Sequence, residues 1–169
     1  GGIIAYPTDT VYGLGCDAQN KHAIERLYQV KGMDRKQPLA FICQDLANIA
    51  KYAIVDNQTY RVLKHFLPGP YTFILKATRE VPRIVQQKQK TVGIRVPAHP
   101  VVHALVEQLG RPIISTSANE PDSDPIIDPW TIEATFPGLD LVLEGDVCGM
   151  VATTVVDLST GEVVIVREG

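Results

Sequence analysis

Hydroxyl side chains are concentrated in residues 6–15, which read Tyr-Pro-Thr-Asp-Thr-Val-Tyr-Gly-Leu-Gly and directly follow a predicted strand. If extended geometry continues there, Thr8, Thr10 and Tyr12 share one face, because side chains alternate with period two. Gly13 and Gly15 allow a close backbone approach to a ligand. The hydroxyls could bind a small polar molecule, or they could only satisfy backbone groups in a turn.

A second polar segment, Ser-Thr-Ser-Ala-Asn at residues 115–119, also directly follows a predicted strand. In extended geometry Ser115, Ser117 and Asn119 lie on one face. Ligands of α/β proteins commonly sit at strand ends, so two such segments favour a binding site over two unrelated turns.

Several mechanisms are disfavoured by missing motifs. There is no G-x-x-x-x-G-K-[ST] phosphate loop, and without a G-x-S-x-G elbow Ser115 and Ser117 are not expected to be hydrolase nucleophiles. His99 and His103 have i, i+4 spacing, but His99 precedes a proline, so we expect it to cap a helix and predict no metal site. The three cysteines form no C-x-x-C pair, which is typical of free thiols in a reducing compartment.

The chain has 169 residues, of which 45% are hydrophobic, and a net charge of −3. These values predict one globular domain over residues 1–169, and they exclude a disordered or fibrous chain. No apolar run is long enough to cross a bilayer and no secretory signal is visible, so we expect a soluble, cytoplasmic protein. Because the sequence opens directly on a strand pattern, we also expect that residues have been trimmed from its N-terminus.

The charge is distributed unevenly, since basic residues prevail in 1–118 and acidic residues in 119–169. The segment 76–95 alone contains six cations: Lys76, Arg79, Arg83, Lys88, Lys90 and Arg95. Such an excess attracts nucleotide or RNA phosphates, but a solvated cationic face without a ligand is an equal alternative.

Short apolar runs alternate with helical patterns, which predicts a twisted, mixed sheet flanked by helices. The pattern predicts eight strands, at residues 2–6, 39–43, 71–76, 92–96, 112–115, 139–143, 154–158 and 163–167. It predicts helices that begin near Asn20, Asp45, Asp56, His99 and Asp128. Gly32 and Gly110 are predicted to end the first and fourth helices.

Six sequence blocks resemble the YrdC family of threonylcarbamoyl-AMP synthases. They read YPTDTVYGLGCD (6–17), PGPYTF (68–73), GIRVPAHP (93–100), STSAN (115–119), TTVVD (153–157) and VREG (166–169). The resemblance implies a twisted α/β sheet, flanked by helices, around a large cavity lined with positive charge. It also implies an enzyme that joins L-threonine, bicarbonate and ATP into threonylcarbamoyl-AMP, with release of pyrophosphate, for the modification of tRNA.

The resemblance further implies roles for individual residues. Lys31 and Arg95 would be the catalytic cations that face the carboxylate and carbamate, and Thr10 and Ser115 would bind threonine beside them. The implied ATP contacts are Gln37, Thr91, Ser117, Asn119, Thr153 and Arg167. Mg²⁺ would accompany ATP, held mainly by phosphate oxygens and water, without a dedicated protein cage.

The chain departs from the family pattern after the first helix. Family synthases carry K-x-R followed by N-P-L, whereas here Met33 stands at the second cation and Gln37 at the asparagine. Methionine cannot replace the bidentate guanidinium, although Arg35 or Lys36 could swing in. Thr153 stands where the family has serine and keeps a hydroxyl.

These departures resemble the YciO-like branch of the family, in which synthase activity is less secure. The alternative function is therefore a nucleotide-binding or RNA-binding protein, for tRNA or duplex RNA, with weak or no synthase activity. Carbamoyl transfer in hydrogenase maturation is less favoured, because a similar domain occurs there inside much longer proteins.

Overall fold

A computed structural model describes residues 1–34, 37–86, 88–146 and 148–169 of the chain. Within these ranges nine strands form one sheet. The strands are β1 (Ile4–Tyr6), β2 (Gly13–Asp17), β3 (Ala40–Ile42), β4 (Tyr71–Lys76), β5 (Thr91–Arg95), β6 (Ile113–Ser117), β7 (Leu141–Val142), β8 (Thr154–Asp157) and β9 (Val164–Arg167). The helices in the same ranges are α1 (Lys21–Lys31), α2 (Leu46–Tyr52), α3 (Asn57–Phe66), α4 (Pro100–Leu109) and α5 (Pro129–Thr135), with short 3-10 turns at Arg83–Val85 and Lys88–Lys90.

The sheet is mixed, as the sequence predicts, and its strand order is β7-β1-β2-β6-β3-β5-β4-β8-β9. The pairs β1/β7, β3/β5 and β4/β8 are parallel, whereas the remaining neighbours are antiparallel. The α/β fold class is therefore confirmed.

All five predicted helix starts are confirmed as N-caps. The side chains of Asn20, Asp45, Asp56 and Asp128 each accept a hydrogen bond from a backbone N–H of the first turn. His99 caps α4 through Nδ1, which accepts from the Val101 N–H at 3.2 Å.

Both predicted helix ends are also confirmed. Gly32 and Gly110 follow α1 and α4 with φ of 70° and 75°. This left-handed conformation favours glycine, because it has no Cβ.

The sequence pattern did not predict β2, which follows a bend in the segment after β1. The chain bends at residues 9–11 and then returns as β2, whose Gly13 pairs with Tyr6 of β1. Thr8, Thr10 and Tyr12 therefore do not continue one extended face. Two glycines hid this strand, because its extended form depends on pairing with β1 on one side and β6 on the other.

The two faces of the sheet are covered differently. One face carries the larger hydrophobic core, to which α1, α2, α3 and α5 contribute buried side chains such as Leu27, Ile49, Leu63 and Ile132. On the other face α4 packs through Val102 and Val106 against a small cluster that contains Tyr6, Ile42 and Ile113. In the described ranges, no helix is both long and apolar enough to cross a bilayer.

Candidate functional site

A cavity of about 610 Å³ lies beside α4, where that helix leaves the sheet uncovered. Along β6, Ile113 belongs to the hydrophobic cluster under α4, whereas Ser115 and Ser117 line the cavity. Along β3, Ile42 belongs to that cluster and Ala40 lines the cavity. Since alternate residues share a face, α4 and the cavity occupy neighbouring parts of one sheet surface. Several of the strand residues that line the cavity are small: Gly13, Ala40, Gly93, Ser115 and Ser117.

Arg95 is the most deeply buried cation of the cavity wall, with only 8% of its surface exposed. Its Nη2 donates to Thr10 Oγ1 at 3.2 Å and to Asp9 Oδ1 at 3.4 Å. Its buried Nε has no hydrogen-bond partner among the described residues. Burial lowers the pKa of Arg95, and the nearby Asp9 carboxylate opposes this effect. A guanidinium held in this way can bind an anionic group of a ligand.

The bend before β2 fixes Asp9 and Thr10 in place. Thr8 Oγ1 donates to the Val11 carbonyl at 2.6 Å and accepts from the Thr10 N–H at 3.1 Å. Asp9 Oδ2 accepts from the Ala98 N–H at 2.9 Å, which joins this bend to the segment after β5. This segment therefore has both of the roles that the sequence suggested. The Thr8 hydroxyl forms hydrogen bonds with backbone groups of the turn, and Thr10 lines the cavity.

Arg167, on the last strand, supplies a second cation to the cavity lining. Its Nε and Nη2 donate to the Thr153 carbonyl at 3.1 and 2.9 Å, and Nη2 also donates to Thr153 Oγ1 at 3.1 Å. Thr153 Oγ1 in turn lies 2.8 Å from Thr72 Oγ1. The positive charge of Arg167 also lowers the pKa of Arg95. The two cations create a positive potential in the cavity, which would attract an anion.

Lys31 does not line the cavity but lies behind its wall, with 5% of its surface exposed. Its Nζ donates to the Ser117 carbonyl at 2.6 Å and to Asn119 Oδ1. Asn119 Oδ1 also accepts from Ser117 Oγ at 2.6 Å. Burial lowers the pKa of Lys31 from 10.5 to about 8. Lys31 and Asn119 thus contact the cavity through Ser117.

Met33 is buried in the larger core with 9% exposure, and its sulfur accepts a weak hydrogen bond from Thr116 Oγ1 at 3.9 Å. Thr116 itself lines the cavity. The position of the family's second cation is therefore one side chain away from the site. Arg35 and Lys36, the suggested substitutes, lie outside the described residues.

The predicted site residues fall into three groups. The cavity lining contains Thr10, Arg95, Ser115, Ser117, Thr153 and Arg167. Lys31 and Asn119 stand behind it. Thr91, which is buried at the start of β5, and Gln37, which is exposed, are not among the lining residues.

The sequence analysis missed three residues of the site. Asp9 contacts Arg95, Thr72 contacts Thr153, and the Tyr6 hydroxyl donates to Ser115 Oγ at 2.5 Å. All three lie inside the quoted sequence blocks, but their partners are 81 to 109 residues away. No local pattern could have paired them.

A second depression, of about 540 Å³, lies at the start of α4 and is mostly apolar. Its polar residues include Asp45 and His99, and both already cap helices. It lacks the convergent cations of the first cavity, so the first cavity is the candidate site. Among the described residues, no group of three or more His, Cys, Asp or Glu side chains could hold a metal ion.

Comparison with known proteins agrees with this geometry. The chain matches the Sua5/YciO/YrdC family, described as "Telomere recombination", over residues 1–169. YciO of Escherichia coli K12 is 43% identical over 172 residues, which cover 100% of this chain and 84% of YciO. A threonylcarbamoyl-AMP synthase of Hydrogenovibrio crunogenus is 38% identical over 156 residues, covering 90% of this chain and 83% of that protein.

Solved structures give the same relationship. The crystal structure of E. coli YciO superposes with a TM-score of 0.94 and covers 100% of this chain and 84% of its own. Sua5 of P. abyssi, in complex with L-threonine, has a TM-score of 0.92 at 29% identity and covers 98% of this chain and 50% of its own. The nine-strand sheet, the cavity beside α4 and these matches lead to one conclusion: the chain belongs to the Sua5/YciO/YrdC family.

Proposed function

We propose that this protein is an enzyme of the threonylcarbamoyl-AMP synthase type, which condenses L-threonine, bicarbonate and ATP and releases pyrophosphate for tRNA modification. The observation that carries the proposal is the buried Nε of Arg95, which has no hydrogen-bond partner among the described residues. Arg95 contacts Thr10 and lies in one cavity with Ser117 and Arg167. The kinship with a threonylcarbamoyl-AMP synthase and with a threonine-bound Sua5 supports it.

The amino acid would bind at the Arg95 end of the cavity. There the guanidinium of Arg95 would neutralise a carboxylate or carbamate, and the hydroxyls of Thr10 and Ser115 would hydrogen-bond the same ligand. Arg95 is kept in place by Asp9, so little side-chain freedom would be lost on binding.

ATP would occupy the remaining part, next to Ser117, Thr153 and Arg167. Threonine and bicarbonate would first combine into a carbamate with loss of water. A carbamate oxygen would then attack the α-phosphorus, and the bond to the β-phosphate oxygen would break as pyrophosphate leaves. No enzyme nucleophile is required, so the protein would act by positioning the reactants and by neutralising charge.

Mg²⁺ would arrive with the triphosphate as part of the substrate. The cavity lining offers hydroxyls and cations, and the described residues contain no cluster of metal-ligating side chains. This donor set fits a metal held by phosphate oxygens and water. We also propose a cytoplasmic location, which suits an enzyme of tRNA modification and three buried free cysteines.

The decisive measurement is pyrophosphate release with ATP, L-threonine and bicarbonate omitted in turn. We expect release only when all three are present. Arg95→Ala and Arg167→Ala should each reduce it at least tenfold, because each removes a charged partner from the cavity. Arg167 is exposed, so its loss should leave folding intact even if Arg95→Ala unfolds. Arg26→Ala, which removes a remote partner of Asp140, serves as the control.

Met33→Arg tests the departure from the family pattern in the same assay. An arginine here would have to turn from the core towards Thr116, so we expect lower stability together with faster pyrophosphate release. Release that proceeds equally without bicarbonate would disprove the carbamoylation step.

A second candidate function, RNA binding, is favoured by the exposed cations of the segment around β4 and β5. Lys76, Arg79, Arg83 and Lys90 are all exposed. If they bind phosphates, the affinity for tRNA or duplex RNA should fall steeply with rising salt, because counterions are released on binding. We expect the double variant Arg79→Gln/Arg83→Gln to flatten this dependence, and a salt-independent affinity would eliminate RNA binding.

A further inference from the structure

A buried tyrosine next to the cavity is joined to the site by one side-chain hydrogen bond within the described part of the chain. Tyr6 is completely buried, and its hydroxyl donates to Ser115 Oγ at 2.5 Å. Ser115 lines the cavity, whereas Tyr6 packs under α4 with Ile42 and Val102. Tyr6 therefore reaches the site from the core without being part of the cavity wall.

The backbone of β2 is shaped around this tyrosine. A Cβ at Gly13 would lie 2.7 Å from Tyr6 Cε2, and a Cβ at Gly15 would lie 2.5 Å from the Tyr6 hydroxyl oxygen. Real Cβ atoms do not approach so closely, so only glycine at both positions admits the ring. The orientation of the tyrosine is thus fixed by the strand beneath it.

The direction of this hydrogen bond decides where Ser115 can direct its own proton. A phenol and a serine hydroxyl each have one proton to donate. The Tyr6 proton goes to Ser115 Oγ, which leaves the Ser115 proton to be directed elsewhere. Burial raises the pKa of Tyr6 well above its ordinary value, so the phenol stays protonated at physiological pH.

We propose that Tyr6 is a positioning residue that makes Ser115 an obligate donor into the cavity. The ligand group that faces Ser115 is then an acceptor, such as a carboxylate oxygen, and a group that can only donate, such as an ammonium, is rejected there. Arg95 and Thr10 lie at the same end of the cavity and have the matching polarity. The inference rests on the proposed function for the identity of the ligand, an amino acid held by its carboxylate.

The hydrogen bond itself can be tested without any substrate. In Ser115→Cys the phenol of Tyr6 would stabilise a thiolate, so Tyr6→Phe in that background should slow iodoacetamide alkylation at fixed pH about tenfold. The rate should be followed against pH, and the ultraviolet absorbance of the thiolate gives a second reading that needs no reagent. The three native cysteines are buried, and burial raises the pKa of Cys16 and Cys43 to about 12, so their background is low.

Tyr52→Phe is the matched control, since it also alters a buried tyrosine but one in the core on the opposite face. It should leave the alkylation profile of Cys at position 115 unchanged. Equal profiles for Ser115→Cys with and without Tyr6→Phe would overturn the inference, even if the enzyme proves to be a synthase.

The selectivity arm uses calorimetric binding of L-threonine and of L-threoninamide, which lacks the carboxylate. Tyr6→Phe should weaken L-threonine binding about tenfold and narrow its preference over the amide. In a Ser115→Ala background the same change should have less than a twofold effect, because Tyr6 acts through Ser115.

Equal weakening of both ligands, or a full effect in the Ser115→Ala background, would show a merely structural role. If wild type binds neither ligand while the thiol responds to Tyr6, the proposed function fails and the donor role of Ser115 stands.

Discussion

Replacing Lys31 by methionine should remove a pH-dependent contribution to the stability of the protein. Lys31 is 5% exposed, and among the described residues its ammonium donates hydrogen bonds to neutral oxygens of Ser117 and Asn119. In the described part of the chain no carboxylate forms a salt bridge with it. Burial therefore holds its pKa at about 8 instead of 10.5, which corresponds to about 3 kcal/mol.

The sign of the effect follows from proton binding. Between pH 8 and 10.5 the unfolded chain holds the Lys31 proton while the folded protein has released it. The free energy of unfolding attributable to Lys31 thus rises with pH across this window, and the cost of burying the charge is fully present below it. Lys31→Met removes that cost, although the Ser117 carbonyl loses its donor, at about 1–3 kcal/mol.

The loss of this hydrogen-bond donor changes the difference in unfolding free energy between Lys31→Met and wild type equally at every pH. The pH dependence of that difference therefore reports only the cost of burying the Lys31 charge. We expect the stability of Lys31→Met relative to wild type to decrease by up to about 3 kcal/mol as the pH rises from 7 to 10.5. Urea unfolding followed by circular dichroism measures it, and the other titrating groups cancel between the two proteins. Lys21→Met, an exposed change on the same helix, is the control. A relative stability that is flat in pH would refute the reasoning, because it would mean that Ser117 and Asn119 fully compensate for burial.

Two further changes test the geometry around the cavity. Gly15→Ala should destabilise the fold by about 2–3 kcal/mol, because its Cβ would lie 2.7 Å from the rigid Ile114 carbonyl oxygen. Gly149→Ala is the control, since the nearest atom to its Cβ would be 3.4 Å away. Urea unfolding should show a smaller loss of stability for Gly149→Ala than for Gly15→Ala. Asp9→Asn should lower the melting temperature and weaken L-threonine binding about tenfold, as measured by calorimetry. The reason is that one amide oxygen cannot accept from both Arg95 and the Ala98 N–H as the carboxylate does. Unchanged binding would show that Arg95 is positioned without Asp9.

Helix boundaries were predictable from the sequence because their causes are local. A cap such as Asn20 bonds a backbone N–H only three residues away, and Gly32 ends the same helix through its own backbone conformation. The strands with apolar, β-branched runs were predictable for the same reason. Strand β2 was not, because its glycines carry no strand preference and its pairing partners come from distant parts of the chain.

The candidate site was predictable as a set of residues but not as a geometry. The sequence blocks contained Thr10, Arg95 and Arg167, and the fold brings all three to one cavity. The resemblance implied that Lys31 faces the substrate, but its position depends on residues that are distant in the sequence. Its partners Ser117 and Asn119 are 86 and 88 residues away, and they hold it behind the cavity wall. Only the folded chain reveals such a relationship.

The site exists because one face of the sheet is only partly covered. Helix α4 packs on Tyr6, Ile42 and Ile113, and further along the same strands the side chains become as small as Ala40 and Ser115, which leaves a hollow. The core and the cavity therefore share strands, and a core residue such as Tyr6 can control a cavity hydroxyl directly. It follows that substitutions under α4 should change ligand binding as well as stability, whereas substitutions at Ile49 or Leu63, which lie in the core on the opposite face and outside the cavity lining, should change stability alone.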